Sequence, residues 1–173
     1  MADERVIYLM KGTLVGLSAG FIVSLFRLGI EFILETVIEG YHFMQEQPIW
    51  LIPWVIFSVA AALIVGKLVK SEPNIKGSGI PQVEGQVQGL ISLNWWPVLW
   101  KKFIGGLLAI GSGLFLGREG PSIQLGSAVG QGISNLTKGD DVEEKILLSS
   151  GAGAGLAAAF NAPLAGLMFV LEE

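Results

Sequence analysis

Long uncharged stretches alternate with short charged ones along this chain. Residues 47–66 carry no charged side chain over 20 positions, and residues 146–171 carry none over 26. Two further uncharged stretches, 120–137 and 103–117, run for 18 and 15 residues. A helix that crosses a bilayer needs about 20 mostly apolar residues. A soluble domain of this size would need polar helix faces toward water, which these stretches lack, so the pattern predicts an all-α integral membrane protein.

The first part of the chain is predicted to form two membrane-crossing helices. Residues 7–39 read as one long helix and residues 50–69 as a second. The acidic segment 31–46 is expected to lead out of the bilayer into a loop. A glycine at every fourth position from Gly12 to Gly20 predicts a stripe where another helix approaches closely.

Beyond Glu72, glycine and proline interrupt the apolar stretches. The interruptions are Gly77–Pro81, Trp95–Pro97, Gly117–Pro121 and Asn161–Pro163. Irregular backbone at membrane depth is tolerated only where it is buried in protein or lines a cavity. Interrupted hydrophobic segments are also the best sequence indication of a transporter binding site. We therefore expect the second part of the chain to carry the function.

Two of these interruptions, Gly77–Pro81 and Gly117–Pro121, place glycines before a proline and then a helical stretch. Proline fits the first turn of a helix, because its missing N–H would be unpaired there in any case. A helix N-terminus presents free backbone N–H groups and about half a positive charge. In a low-dielectric setting this predicts an anion site, to which Ser78 adds a hydroxyl donor.

Glu119 is predicted to lie one residue before the second helix start. When ionised, its carboxylate can occupy the N–H groups that an anion would use; when protonated, it can swing away. Such a group would be a gate that links anion occupancy to one proton, and an ionisable residue inside a membrane segment points to function. The alternative is that Glu119 pairs with the adjacent Arg118 at a membrane edge. For Glu173, at the end of the longest uncharged stretch, the residues alone favour an ordinary solvated helix end.

Composition excludes several classes of protein. The chain is 51% hydrophobic and 15% charged, which argues against disorder. Its net charge is -4 and its basic residues are few, so no nucleic-acid partner is expected. With no cysteine and a single histidine, His42, no disulfide or metal site is expected. We predict no cofactor and no enzymatic activity.

The glycine-rich segment 151–158 permits one alternative. Gly153, Gly155 and Ala158 fit a dinucleotide-binding pattern, but no convincing strand precedes them and no βαβ pattern surrounds them. Small residues for tight helix packing explain the segment better. No Walker-type loop is present, so an ATP-driven pump has no support.

Three motifs in this order resemble those of the CLC family of chloride channels and transporters. They are Gly77-Ser78-Gly79-Ile80-Pro81, Gly117-Arg118-Glu119-Gly120-Pro121-Ser122 and Gly155-Leu156-Ala157-Ala158-Ala159-Phe160-Asn161-Ala162-Pro163-Leu164-Ala165-Gly166. The resemblance covers essentially the whole chain. It implies the first inverted repeat of a CLC-type fold, with broken and tilted helices that meet near the bilayer midplane.

The resemblance also implies a chloride site. Ser78 matches the serine that coordinates the central chloride, with the neighbouring amides of Gly79 and Ile80, and Gly120 joins this chloride-binding set. In the family, serine at this position accompanies chloride preference, whereas proline favours nitrate and the fluoride branch departs from the motif.

Two glutamates match the proton pathway of the family. Glu119 matches the external gating glutamate, which Arg118 and Pro121 frame. Glu173 matches the internal proton-transfer glutamate, and family members with an acid there are commonly chloride/proton antiporters. The resemblance therefore overturns the interpretation of Glu173 as a solvated helix end.

The family's membrane domain consists of two inverted repeats, and residues 1–173 resemble only the first. The second repeat should supply another amide-bearing helix start and a tyrosine that closes the inner side of the chloride site. The two tyrosines present, Tyr8 and Tyr41, come too early in the chain. We therefore expect a fragment, a truncated chain or one piece of a split protein. In the complete protein, the helix after Pro163 is expected to contribute to a homodimer interface.

The function expected from these features is chloride/proton exchange across a lipid bilayer. The protein should be multi-pass and integral, in the inner membrane if its source is bacterial. The lysine and arginine bias predicts that the N-terminus and residues 67–76 face the cytoplasm. Two alternatives stay open: a passive voltage- or pH-gated chloride channel, and a half-domain that inserts and pairs without transporting.

Overall fold

The computed structural model describes the backbone of residues 2–172 and the side chains of residues 6–172, and all regular structure in this part is helical. Its α-helices are α1 (Ala2–Glu46), α2 (Leu51–Ser71), α3 (Ile80–Val87), α4 (Trp95–Gly111), α5 (Glu119–Leu136), α6 (Asp141–Phe160) and α7 (Pro163–Glu172). Short 3-10 turns at Pro48–Trp50 and Pro73–Ile75 lie on either side of α2.

The two long helices of the first part of the chain are present, and α1 is longer than predicted. The expectation that the acidic segment 31–46 leads into a loop is wrong, because the helix continues through Glu46. No glycine–proline interruption occurs before Pro48, where proline ends the helix since it cannot continue the hydrogen-bond ladder. The connection to α2 is therefore a tight turn, where the rings of Phe43 and Trp50 lie 5.9 Å apart.

All four predicted interruptions fall at helix ends, and local chemistry explains three of these ends. Gly79, with a φ of 93°, is the residue before α3, a left-handed conformation that glycine adopts without strain. The Asn94 side chain accepts a hydrogen bond from the Trp96 N–H and so caps α4. α6 ends at Asn161, also left-handed with a φ of 57°, and α7 begins two residues later at Pro163.

The centre of the molecule is α5, which is buried along most of its length. On one side it packs with α1, α4 and α6 through an apolar cluster of Val23, Phe26, Ile30, Ile110, Leu125 and Ala159. On the other side it packs with α3 and α6 through Val83, Ile123, Leu148 and Ala152. The helix that carries Glu119 is thus held on all sides by its neighbours.

Glycines allow α5, α6 and α7 to approach backbone to backbone. A Cβ at Gly151 of α6 would lie 2.9 Å from the carbonyl carbon of Gly126 on α5, and Gly166 of α7 meets Gly153 in the same way. Residues 151–158 lie inside α6 and not in a loop, which confirms helix packing as the reason for this segment and excludes the dinucleotide-loop alternative.

The glycine stripe predicted on α1 has no such role in the described residues. A Cβ at Gly12, Gly16 or Gly20 would meet nothing within 4 Å. The face of α1 that packs is a neighbouring one, formed by Val15, Ala19, Val23 and Phe26, each with no exposed area. The glycines lie beside this face and are only partly covered.

The segment Pro48–Ser71 is the described helix that is long and apolar enough to cross a membrane. Ala61 is its only buried residue, and most of its large apolar side chains are exposed, although Leu68 and Val69 pack against Ile75 and Val98. An apolar surface of this extent is unfavourable in water and favourable in hydrocarbon, so α2 suits a lipid environment.

Replacing Gly151 with alanine should destabilise the protein by about 1–3 kcal/mol, because the added methyl group overlaps the backbone of α5. The matched control is Gly66→Ala on α2, where a Cβ meets nothing within 4 Å. The control should be neutral or slightly stabilising, since alanine favours the helix by up to about 1 kcal/mol. Thermal unfolding in detergent compares the two variants, and equal melting temperatures would contradict the packing interpretation.

Candidate functional site

The two glycine–proline helix starts meet at one point. Gly120 at the start of α5 is buried against Ser78, and a Cβ on it would lie 2.8 Å from the Ser78 carbonyl oxygen and 2.9 Å from the Ser78 Cα. Only glycine fits there. The N-termini of α3 and α5 are therefore brought together from positions about forty residues apart in the chain, as a shared anion site requires.

Ser78 lies in the turn just before α3. Its Oγ accepts a hydrogen bond from the Ile80 N–H at 3.4 Å, which is long enough to be readily exchanged for another partner. The left-handed conformation of Gly79 turns the chain here, and a side chain on Gly79 would run into that of Gln124. The hydroxyl and the first amides of α3 thus lie together at the turn.

A cavity of about 560 Å³ opens at this meeting point. Five of the residues expected to bind chloride or form the gate line it: Ser78, Ile80, Glu119, Gly120 and Pro121. The other two described site residues, Gly79 and Arg118, lie beside it and are not part of its wall. Lysines 76, 101 and 102 also line the cavity, so its surroundings are cationic.

Glu119 is half-buried on the wall of this cavity. The prediction that it precedes the helix is wrong by one residue, because Glu119 is itself the first residue of α5 and Arg118 is the N-cap. Its carboxylate makes no hydrogen bond or ion pair with any residue that the structure describes. It lies over Gly117, where any side chain would collide with it. The position predicted to be the gate is therefore an acid with room to move.

Arg118 does not pair with Glu119. Its Nη1 donates to Glu31 Oε1 on α1 at 2.9 Å, and the Arg27 Nε donates to the same oxygen at 3.1 Å. The geometry therefore contradicts the alternative in which Glu119 pairs with Arg118.

Lys102 is a component of the site that the motifs did not indicate. It lies inside the apolar helix α4 with 4% of its surface exposed. Its Nζ donates to the carbonyl oxygens of Gly77 at 2.7 Å and Ile75 at 2.9 Å, on the turn that leads to Ser78. A charged residue in an apolar helix is a signal that could have found it, because such residues are rare unless they have a role.

Gln124 of α5 contacts the same turn from the other side. Its Nε2 donates to the Asn74 carbonyl oxygen at 2.8 Å, while its Oε1 is buried without a hydrogen-bond partner among the described residues. The turn that carries Ser78 is thus tied by side chains from α4 and α5. These ties are long-range contacts and no local sequence pattern reveals them.

The second predicted proton-transfer residue, Glu173, lies outside the described residues. Its neighbour Glu172 ends α7 and is exposed. No group of three or more histidine, cysteine, aspartate or glutamate side chains suited to a metal ion occurs in the described part of the chain.

Known proteins share this sequence and architecture. Residues 57–173 match the family model described as "Voltage gated chloride channel", which covers more than half of the chain. The chain therefore belongs to the voltage-gated chloride channel family. The family expected from the three motifs is confirmed.

Individual relatives are similar over nearly the whole chain. It is 43% identical over 169 residues to "H(+)/Cl(-) exchange transporter ClcA" of Vibrio parahaemolyticus, and 40% identical over 169 residues to the protein of that name in Cronobacter sakazakii. Each alignment covers 95% of this chain and 36% of the relative, so the chain spans about a third of the length of these relatives.

A solved structure has the same fold. The crystal structure of "a slow cyanobacterial Cl-/H+ antiporter" matches with a TM-score of 0.88 and 37% sequence identity, over 96% of this chain and 40% of that one. The all-α, CLC-type architecture predicted from the sequence is therefore confirmed.

Replacing Lys102 with methionine should loosen the turn before Ser78. The carbonyl groups of Ile75 and Gly77 would lose a charged donor, and hydrogen bonds to charged groups contribute about 1.5–3 kcal/mol each. We expect faster amide hydrogen exchange over residues 72–79 and a lower melting temperature. Lys101→Met is the matched control, since the hydrogen bond of Lys101 goes to the Ser71 carbonyl at 3.4 Å and not to the turn before Ser78. Unchanged exchange in the Lys102 variant would contradict the anchoring role.

Proposed function

We propose that this chain forms the chloride-binding and gating part of an integral, multi-pass membrane protein that exchanges chloride for protons. The observation that carries the proposal is the meeting of two helix N-termini at Ser78 and Gly120, beside the unpaired carboxylate of Glu119. The relatives named as H(+)/Cl(-) exchange transporters support the choice of ions.

Chloride binding rests on partial charges in this proposal. The Ser78 hydroxyl and the amides of Gly79, Ile80 and Gly120 supply donors, and both helix starts orient positive dipole ends toward the cavity. An ion that must be transported also has to leave, so a site of dipoles suits it better than direct ion pairing. Lys102 adds a charge nearby, but the carbonyl oxygens of Ile75 and Gly77 already engage its ammonium group.

Glu119 is the proposed gate. When ionised, it competes with chloride for the donors at the start of α5; when protonated, it loses that attraction and swings clear. It forms no ion pair with the residues that the structure describes, and Gly117 has no side chain to block it; both leave the carboxylate mobile and so support this role. The same proton that opens the gate is then carried in exchange for chloride.

Glu173 is proposed to pass the proton between the gate and the cytoplasm. The support is its place in the chain directly after α7 and its match to the internal proton-transfer glutamate of the family. Arg118 and Pro121 frame the gate in this proposal by starting α5 at a fixed position.

The complete protein is proposed to be a homodimer in which residues 1–173 form the first of two repeats. The apolar side chains of α7 are exposed along the helix, as in Leu164, Leu167 and Met168, and such a surface needs a lipid or protein partner. The relatives extend well beyond the matched segment, which fits a second repeat. If the source is bacterial, the inner membrane is the expected location.

Chloride-gradient-driven proton uptake into proteoliposomes tests the proposal, using the gene product at its natural length. Uptake against the proton gradient would support exchange. Chloride flux without proton movement would replace exchange by a passive channel. Absence of flux of either ion would contradict both and leave a segment that inserts and pairs without transporting.

In the same assay, Glu119→Gln should abolish coupled proton movement and leave chloride flux measurable. The amide cannot carry the proton and does not compete with chloride as a charged group. Glu46→Gln, an exposed carboxylate at the end of α1, is the control and should behave as the unmodified protein. Retained coupling in the Glu119 variant would refute the assignment of the gate.

Glu173→Gln should also stop proton movement while chloride flux continues, because the relay loses its titratable group. The adjacent Glu172→Gln is the matched control, and it should retain proton uptake. If proton flux survives in the Glu173 variant, that residue is only a solvated helix end.

A further inference from the structure

We propose that Glu31 of α1 is a positioning residue that keeps the guanidinium of Arg118 away from Glu119. This inference rests on the proposed function of Glu119 as the gate. It concerns a residue outside the three family motifs, on a helix that contributes no wall to the cavity.

The geometry begins with two adjacent residues of opposite charge. Arg118 is the N-cap of α5 and Glu119 its first residue, so a pair between them would need the Arg118 side chain to turn toward the cavity that Glu119 lines. Instead, Arg118 reaches Glu31 on α1, 87 positions earlier in the chain, with an Nη1 to Oε1 distance of 2.9 Å. Arg27 donates to the same oxygen from one helical turn away and fixes its position.

This arrangement matters because a free arginine beside the gate would favour the ionised form of Glu119. An opposite charge within about 4–6 Å lowers the pKa of a carboxyl by about 1–3 units. An arginine partner would therefore oppose the protonation that opens the proposed gate. By engaging Arg118, Glu31 keeps that positive charge from pairing with the Glu119 carboxylate.

Other charges also face Glu119. Lys101 and Lys102 of α4 and Lys76 of the turn before α3 line the same cavity. The Lys102 ammonium is engaged by two carbonyl oxygens, and Lys101 contacts the Ser71 carbonyl and lies 5.6 Å from the Trp100 ring centre. Arg118 is distinguished from these lysines by being the direct neighbour of Glu119 in the chain.

The simpler interpretation is that the ion pair between Arg118 and Glu31 is a staple, a contact that only holds α1 and α5 together. The Arg118 and Glu31 side chains are 35% and 40% exposed, and pairs of this kind contribute little to stability. A staple predicts at most a small change in melting temperature when Glu31 is altered. The positioning role predicts a change in the titration of Glu119, which a staple would not move.

The experiment is an infrared titration of the Glu119 carboxyl in the gene product at its natural length, with the Glu119→Gln spectrum subtracted. Glu31→Gln should lower the titration midpoint by about one pH unit, because the released arginine turns to Glu119. Glu35→Gln, one turn further along α1, makes the same chemical change on an exposed carboxylate that is not bonded to Arg118. It should leave the midpoint unchanged.

A second genetic background separates the effect of the Arg118 charge on the Glu119 titration from the effect of removing the Glu31 charge. When Arg118→Gln is already present, Glu31→Gln should no longer shift the midpoint. An equal shift in that background, or no shift in Glu31→Gln alone, would overturn the proposal. If Glu31→Gln does not fold, Glu31→Asp replaces it, and its shorter carboxylate should give a smaller shift in the same direction; no shift there would also overturn it.

The pH dependence of chloride flux, measured on the same variants, keeps this inference distinct from the proposed function. A shifted carboxyl titration in a protein without chloride flux would support the positioning role of Glu31 and refute transport. A flux that depends on pH through Glu119, with an unshifted midpoint in Glu31→Gln, would support the gate and refute the positioning role.

Discussion

The contact between Gly120 and the backbone of Ser78 is the constraint on which the site depends. It joins the starts of α3 and α5 so closely that no side chain fits between them. Backbone N–H groups at a helix start need a partner, and in hydrocarbon no bulk water supplies one. Two helix starts directed at one cavity attract an anion more strongly than either helix would alone, because their free N–H groups and partial positive charges add. Lys102 and Gln124 preserve this arrangement by fixing the turn on which Ser78 lies.

The proposed gate sets a second requirement, which is that the Glu119 carboxylate not be bound by the charged groups around it. Four charged side chains lie close in the chain or in space, and the structure pairs three of them, Arg27, Arg118 and Glu31, with one another. Glu119, the fourth, forms no ion pair with any residue that the structure describes. The Glu119 carboxylate can move because Arg27 and Arg118 both bind Glu31 and because Gly117 has no side chain. A gate of this kind requires that the competing partners be engaged elsewhere.

Much of the fold could be predicted from the sequence, because glycine and proline residues mark the helix ends. The meeting of the two helix starts was expected from the family resemblance, which puts Ser78 and Gly120 in one chloride-binding set. The acidic residues of segment 31–46 favour a loop, but nothing there breaks a helix, and α1 continues to Glu46. A charge inside an apolar helix marks Lys102 as unusual. The partners of Lys102, Glu31 and Gln124 could not be predicted, since each contact spans 25 or more positions and only tertiary packing creates it. The glycine stripe of α1 had the right spacing and lay beside the packed face.

The glycines of α5 also bear on the order in which the chain folds. Glycine is about 1 kcal/mol less favourable than alanine in a helix, and α5 contains four glycines among its 18 residues. Such a segment gains its helical stability from packing, and its closest partner, α6, follows it in the chain. During synthesis, α5 therefore has to wait for residues 141–160 before it becomes a stable helix. The cavity at the starts of α3 and α5 is consequently completed only after the chain that follows α5 has been made.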